Sequence, residues 1–110
     1  MTPTHAPALA EIGTCLARTG RTRDGIPYLQ DGLRLLPKMP LAQYSLGLAL
    51  LTENRRSEAL AALDKAIELD AGNGEAYRTR GLAYVMDGQF DKAVDDLRAA
   101  STIDSDNYKA

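Results

Sequence analysis

The stretch GLALLTENRRSEALAAL (residues 47–63) decides how this chain is read, because GLAYVMDGQFDKAVDDL (residues 81–97) repeats its layout 34 residues later. In both, a glycine opens an apolar run, a short polar break follows, and small apolar residues then resume at spacings of three and four. Sliding the sequence by that period aligns three blocks, 6–39, 40–73 and 74–107, with no insertion or deletion. Gly13, Gly47 and Gly81 fall in register. So do two further small sets, Gly25/Ala59/Ala93 and Gly32/Ala66/Ala100. Large apolar residues align as well, in the sets Leu16/Leu50/Tyr84, Leu29/Leu63/Leu97 and Leu35/Leu69/Ile103. A period of this length is the mark of stacked helical hairpins, each too small to bury its apolar face alone.

The spacing within each block is helical. Leu46, Ala49 and Leu50 recur at three and four, as do Ala59, Leu60, Leu63, Ala66 and Ile67, and no alternation in twos is present. Each block is therefore read as two amphipathic helices, A then B. Gly20, Asn54 and Gly88 align at the break between them, where a left-handed residue can end a helix. Asp24, Ser57 and Asp91 are expected to cap helix B. On that reading Pro27 lies in a first turn, and helix B stops before Pro37, at Ala71-Gly72 and at Ser105. The small residues let the backbones of A and B approach closely. That approach must outweigh about 1 kcal/mol of helix propensity lost at each mid-helix glycine.

At 110 residues, 45% hydrophobic, 25% charged and only 5% aromatic, the chain suits one folded unit whose core is built from Leu and Ala. A net charge of −2 with no cluster of Lys and Arg argues against nucleic acid as a partner. The opening residues show neither a basic leader nor a long apolar run, so a soluble, cytoplasmic protein with no membrane partner is expected. His5 and Cys15 are the sole His and Cys, which leaves no metal set and no Cys-His nucleophile. Cys15 is expected to pack among small residues. The Asp95-Asp96 pair is expected on an exposed helix face, and the segment DAGNGE (residues 70–75) reads as an interhelical turn. No cofactor and no catalysis are expected.

The sequence resembles the tetratricopeptide repeat family. The second block carries the likeness in Leu46-Gly47, Leu50, Ala59, Leu63 and Ala66, and the third in Gly81, Tyr84, Gly88, Phe90, Ala93, Leu97 and Ala100. The first block matches at Ile12-Gly13, Leu16, Gly20, Leu29 and Pro37 but has Gly25 and Gly32 where Ala is usual, and Arg80 stands in the third block where an aliphatic residue is expected. The resemblance implies an all-α, right-handed α-solenoid of three antiparallel helix-turn-helix hairpins, with residues 1–5 as a tail and 108–110 as a tail or the start of a further repeat. It further implies a concave groove lined by helices A that holds a protein or peptide segment. A subset of the family clamps a C-terminal carboxylate with Lys, Arg and Asn, but those places here hold Ala10, Thr14, Ser45, Glu75 and Thr79, so that activity is not expected.

The groove is expected instead to be an apolar strip, formed by Tyr44, Leu48, Leu51, Leu82, Val85 and Met86 with Arg78 beside it, that takes an apolar or amphipathic partner segment. The alternative is a self-associating scaffold. The three blocks carry net charges of +2, −2 and −3, and Val94, Leu97 and Ala100 on the last helix B are expected to be partly bare, which favours homo-oligomers stacked end to end.

Overall fold

The structure, a computed structural model, describes residues 5–109, with side chains placed through residue 106. It contains α1 (His5–Arg18), α2 (Thr22–Leu35), α3 (Pro40–Thr52), α4 (Arg56–Leu69), α5 (Gly74–Met86) and α6 (Phe90–Lys109), and no strand among the described residues. The helices pair as three antiparallel hairpins, α1 with α2, α3 with α4 and α5 with α6, and each hairpin lies against the next. Of the tail expected at 1–5, residues 1–4 lie outside the described residues and His5 opens α1. At the other end Ala110 lies outside them, and α6 runs unbroken past Ser105 to Lys109, where the repeat pattern predicted a stop. Neither Pro nor Gly occurs after Gly88 to end it.

Each A-to-B turn is made in the same way. Gly20, Asn54 and Gly88 have φ of +86°, +63° and +78°, the three positive values among the described residues. The N–H groups of the residues that follow, Arg21, Arg55 and Gln89, donate to the carbonyls of Leu16, Leu50 and Tyr84, each at 2.8 Å. These reversed bonds satisfy carbonyls that the end of a helix leaves free.

The turn is so tight that helix B begins at once. The Gly25, Ala59 and Ala93 N–H groups already donate to the carbonyls of Arg21, Arg55 and Gln89. The expected caps are therefore corrected: Asp24, Ser57 and Asp91 sit inside the first turn, and neither α2 nor α4 has a side-chain cap. Two carboxylates of that turn instead accept from the arginine before the helix, Asp24 from Arg21 at 3.0 Å and Glu58 from Arg55 at 2.6 Å. Pro27 becomes the sixth residue of α2, beyond the first turn. The cap that does form is Asn73, whose Oδ1 accepts from the Ala76 N–H at 3.2 Å to open α5.

Within a hairpin the small residues set the distance between helices. A Cβ on Gly47 would lie 2.7 Å from Leu63 Cγ, and Leu63 is fully buried. In the first hairpin the approach is closer still, since a Cβ on Gly25 would lie 2.4 Å from the Gly13 carbonyl oxygen. That contact explains why the first block has glycine where the others have alanine. Between hairpins, Ile26, Leu29 and Leu33 of α2 share a buried cluster with Ala42, Ala49 and Leu50 of α3 and with Ala59 and Ala62 of α4. The stack is thereby joined through residues that no single hairpin could cover.

Candidate functional site

Helices A and helices B are not equivalent in the stack. The backbone of α3 closely approaches both α1 and α5, whereas the backbones of α2, α4 and α6 stay apart from one another among the described residues. Helices A therefore converge on the inner face and helices B fan out behind them.

The inner face carries an exposed apolar row. Leu41 and Leu48 on α3, and Leu82, Val85 and Met86 on α5, are all exposed, and Leu41 is the most so at 72%. Tyr44 and Leu51, expected in the same strip, are half-buried: Tyr44 packs on Ala66, Ile67 and Ala76, and Leu51 on the larger cluster. Beside Leu48 lies a cleft of about 160 Å³ between the first two hairpins, lined by Ala17, Arg18, Thr22, Ser45, Leu48, Ala49 and Thr52. Its floor is apolar and its rim carries hydroxyls and one guanidinium. Of the positions compared with the carboxylate clamp, Ala10 and Thr79 are buried, and Glu75 pairs with Arg78.

Arg78 is not a free cation at the edge of this face. It is held by Glu75 and, at 2.6 Å, by Asp104 of α6, and the Glu75 hydrogen bond raises its pKa above the ordinary arginine value. The charge is thus largely answered within the third hairpin.

Behind the face lies an ionic centre that the sequence reading missed. The side chain of Arg80 is only 19% exposed, and its Nε and Nη2 donate to the two oxygens of Asp96, both at 2.7 Å, while Nη1 reaches Asp64 at 3.0 Å. The rings of Tyr77 and Tyr84 stand 5.6 and 5.9 Å from its guanidinium carbon. The hydrogen bonds to Asp96 push the arginine further above its ordinary pKa, and burial raises that of the Tyr84 phenol. Asp96, expected on an exposed face, is in fact buried. The signal was present in the register: Arg80 aligns with Leu46, and Asp96 with Ala62, so opposite charges replace two apolar residues of one hairpin together. This centre ties α4, α5 and α6, and no polar side-chain atom buried among the described residues is left without a partner. It is a packing device.

Two other expectations change. Cys15 is exposed, not packed. Ala100 is buried at 3%, so it offers no surface for association, whereas Val94 and Leu97 are exposed. No helix of the described residues is long and apolar enough to cross a membrane, and no group of three or more His, Cys, Asp or Glu among them could hold a metal ion.

Three hairpins of one period, stacked with helices A inside, define a helical-repeat solenoid. The tetratricopeptide repeat profile matches residues 11–73 and 51–108, and the chain belongs to that family. It is 33% identical over 89 residues to mouse sperm-associated antigen 1, a match covering 81% of this chain and 10% of that protein. Among solved structures, MamA is similar with a TM-score of 0.90 and 28% identity, over 99% of this chain and 64% of that one. YrrB, described as a tetratricopeptide repeat protein with an unusual peptide-binding site, has a TM-score of 0.86 and 26% identity, over 93% of this chain and 53% of that one. The chain spans a tenth of the mouse relative's length and under two thirds of either solved chain's.

Proposed function

We propose that this chain is a noncatalytic protein-interaction module whose inner face takes an apolar or amphipathic segment of a partner protein. The observation that carries the reading is the row Leu41, Leu48, Leu82, Val85 and Met86, exposed on the two helices A that lie side by side, next to the cleft floored by Leu48 and Ala49. Exposed apolar side chains gathered on one concave face are a common feature of interaction sites. YrrB, similar in fold, is described as having a peptide-binding site, which supports the same use of the stack.

Magnitudes limit the affinity. Four residues of the row are about half covered already and Leu41 less so, so a partner gains about 1 kcal/mol from each, on the order of 5 kcal/mol together. After association costs that supports a transient contact, tightened where the partner also reaches the hydroxyls of Ser45 and Thr52 or the Arg18 guanidinium at the rim. The test is capture of proteins by the immobilised chain beside Leu48→Asp and Val85→Asp variants. Both residues are exposed, so helical circular dichroism stays unchanged while specific capture is lost. Equal capture by all three proteins refutes the groove.

A further inference from the structure

The three repeats provide their own control for what a neighbouring hairpin covers. On helix B, Leu29 and Leu63 are each 0% exposed, while Leu97 in the same register is 39% exposed. Ile26 is buried and Leu60 half-buried, whereas Val94 is 45% exposed, and Phe90 in the register of buried Thr22 is also exposed. The mirror situation holds on helix A. Ala42 and Ala76 are buried but Ala8 is exposed; Ala49 and Ala83 are buried but Cys15 is exposed; Leu46 is half-buried but Ile12 is 44% exposed. α1 and α6 therefore carry the two halves of the joint that α2 with α3, and α4 with α5, make inside the stack.

We infer that a second copy of this chain docks its α1 on α6, head to tail, in the relation that one hairpin already bears to the next. Ile12 and Cys15 of one copy then lie on Val94 and Leu97 of the other, as Leu46 and Ala49 lie in one cluster with Ile26 and Leu29.

Charge selects this pairing over others. At the internal joints the base stands at the start of helix B and the acid at the end of helix A: Arg23 donates to Glu53 at 2.8 Å, and Arg56 stands 3.9 Å from Asp87. On the open faces this arrangement is absent on both sides: the acid's register at the end of α1 is held by neutral Thr19, and the register of Arg56 on α6 by Phe90. Asp91 of α6 takes the register of Arg23, and Arg18 stands next to Thr19 at the end of α1. The contact remains one of opposite charge, in keeping with a first block of net +2 and a third of −3. Two α6 faces meeting would instead join two copies of the third block, each of net charge −3. Ser101, in the register of Leu33 and Ile67, makes this joint less apolar than the internal ones and so reversible.

A heterologous contact makes a prediction that no symmetric one shares. Ile12→Asp spoils the α1 face alone, and Val94→Asp the α6 face alone. By light scattering at low salt, wild-type mass rises with concentration above the 11.9 kDa of one chain, and high salt reverses the rise. Each variant alone stays monomeric, with association weakened at least tenfold. Mixed in equal amounts they form a species of twice the monomer mass and nothing larger, because each retains one intact face. Oxidation of Val94→Cys through native Cys15 gives a ladder of linked chains, and Cys15→Ser on that background limits it to dimers at most. A wild-type monomer at every concentration, or variants that do not complement, overturns the inference. Neither variant touches the inner face, so loss of stacking is distinguishable from loss of partner capture.

Discussion

Replacing Arg80 by Leu restores the residue type that the second hairpin has at Leu46, yet it is expected to be one of the most damaging single changes in this chain. The reason is Asp96, 4% exposed, which receives both of its close hydrogen bonds from that one guanidinium. Removing the cation leaves a buried carboxylate without a counter-charge, at a cost of about 3–5 kcal/mol. Asp96→Ala is milder, about 1–3 kcal/mol, because Arg80 keeps Asp64 and the faces of Tyr77 and Tyr84. The double variant rebuilds the Leu46 and Ala62 pairing of the second hairpin and is expected within about 1 kcal/mol of wild type, since an apolar pair can replace a buried ion pair at little cost. Urea unfolding followed by helical circular dichroism reads all three. With a slope of about 1.5 kcal/mol per molar, the first variant loses about 2–3 M of midpoint and the double variant recovers nearly all of it. Additive losses in the double variant, or Asp96→Ala as harmful as Arg80→Leu, would refute the account.

Two further predictions concern packing and pH. Gly25→Ala destabilises more than Gly47→Ala despite the same gain of about 1 kcal/mol in helix propensity, because the first new methyl meets a backbone oxygen at 2.4 Å and the second a leucine side chain at 2.7 Å; equal thermal midpoints would contradict this. The Arg55 hydrogen bonds hold Glu58 below its ordinary carboxylate pKa. A lowered folded-state pKa stabilises above the unfolded value and loses that contribution as pH falls through the folded one. The small deficit of Glu58→Gln in thermal melts at pH 7 is therefore expected to close as the pH falls below the ordinary carboxylate range, and a deficit that persists in acid counts against the pair.

How much of this was legible in the sequence follows from where each physical cause lies. The left-handed turns at Gly20, Asn54 and Gly88 were readable because three aligned residues tolerate the same φ. The starts of helices B were not: a cap residue is favoured only where the chain has room for it, and the tight turn started the ladder before Asp24 or Ser57. Asp96 was misread because a charged residue was assumed to be exposed, when its register with Ala62 and its partner in register with Leu46 pointed inward. Cys15 was misread for the opposite reason. It aligns with buried Ala49 and Ala83, but among the described residues no helix lies against that side of α1.

The sequence by itself determined the repeat, the helical hairpins and the small residues that let them nest, since period and side-chain volume are properties of the chain that no neighbour alters. Only the tertiary structure decided which of the aligned residues are covered. Burial depends on what stands beside a helix, and identical registers face a packed hairpin in the middle of the stack and open solvent on α1 and α6.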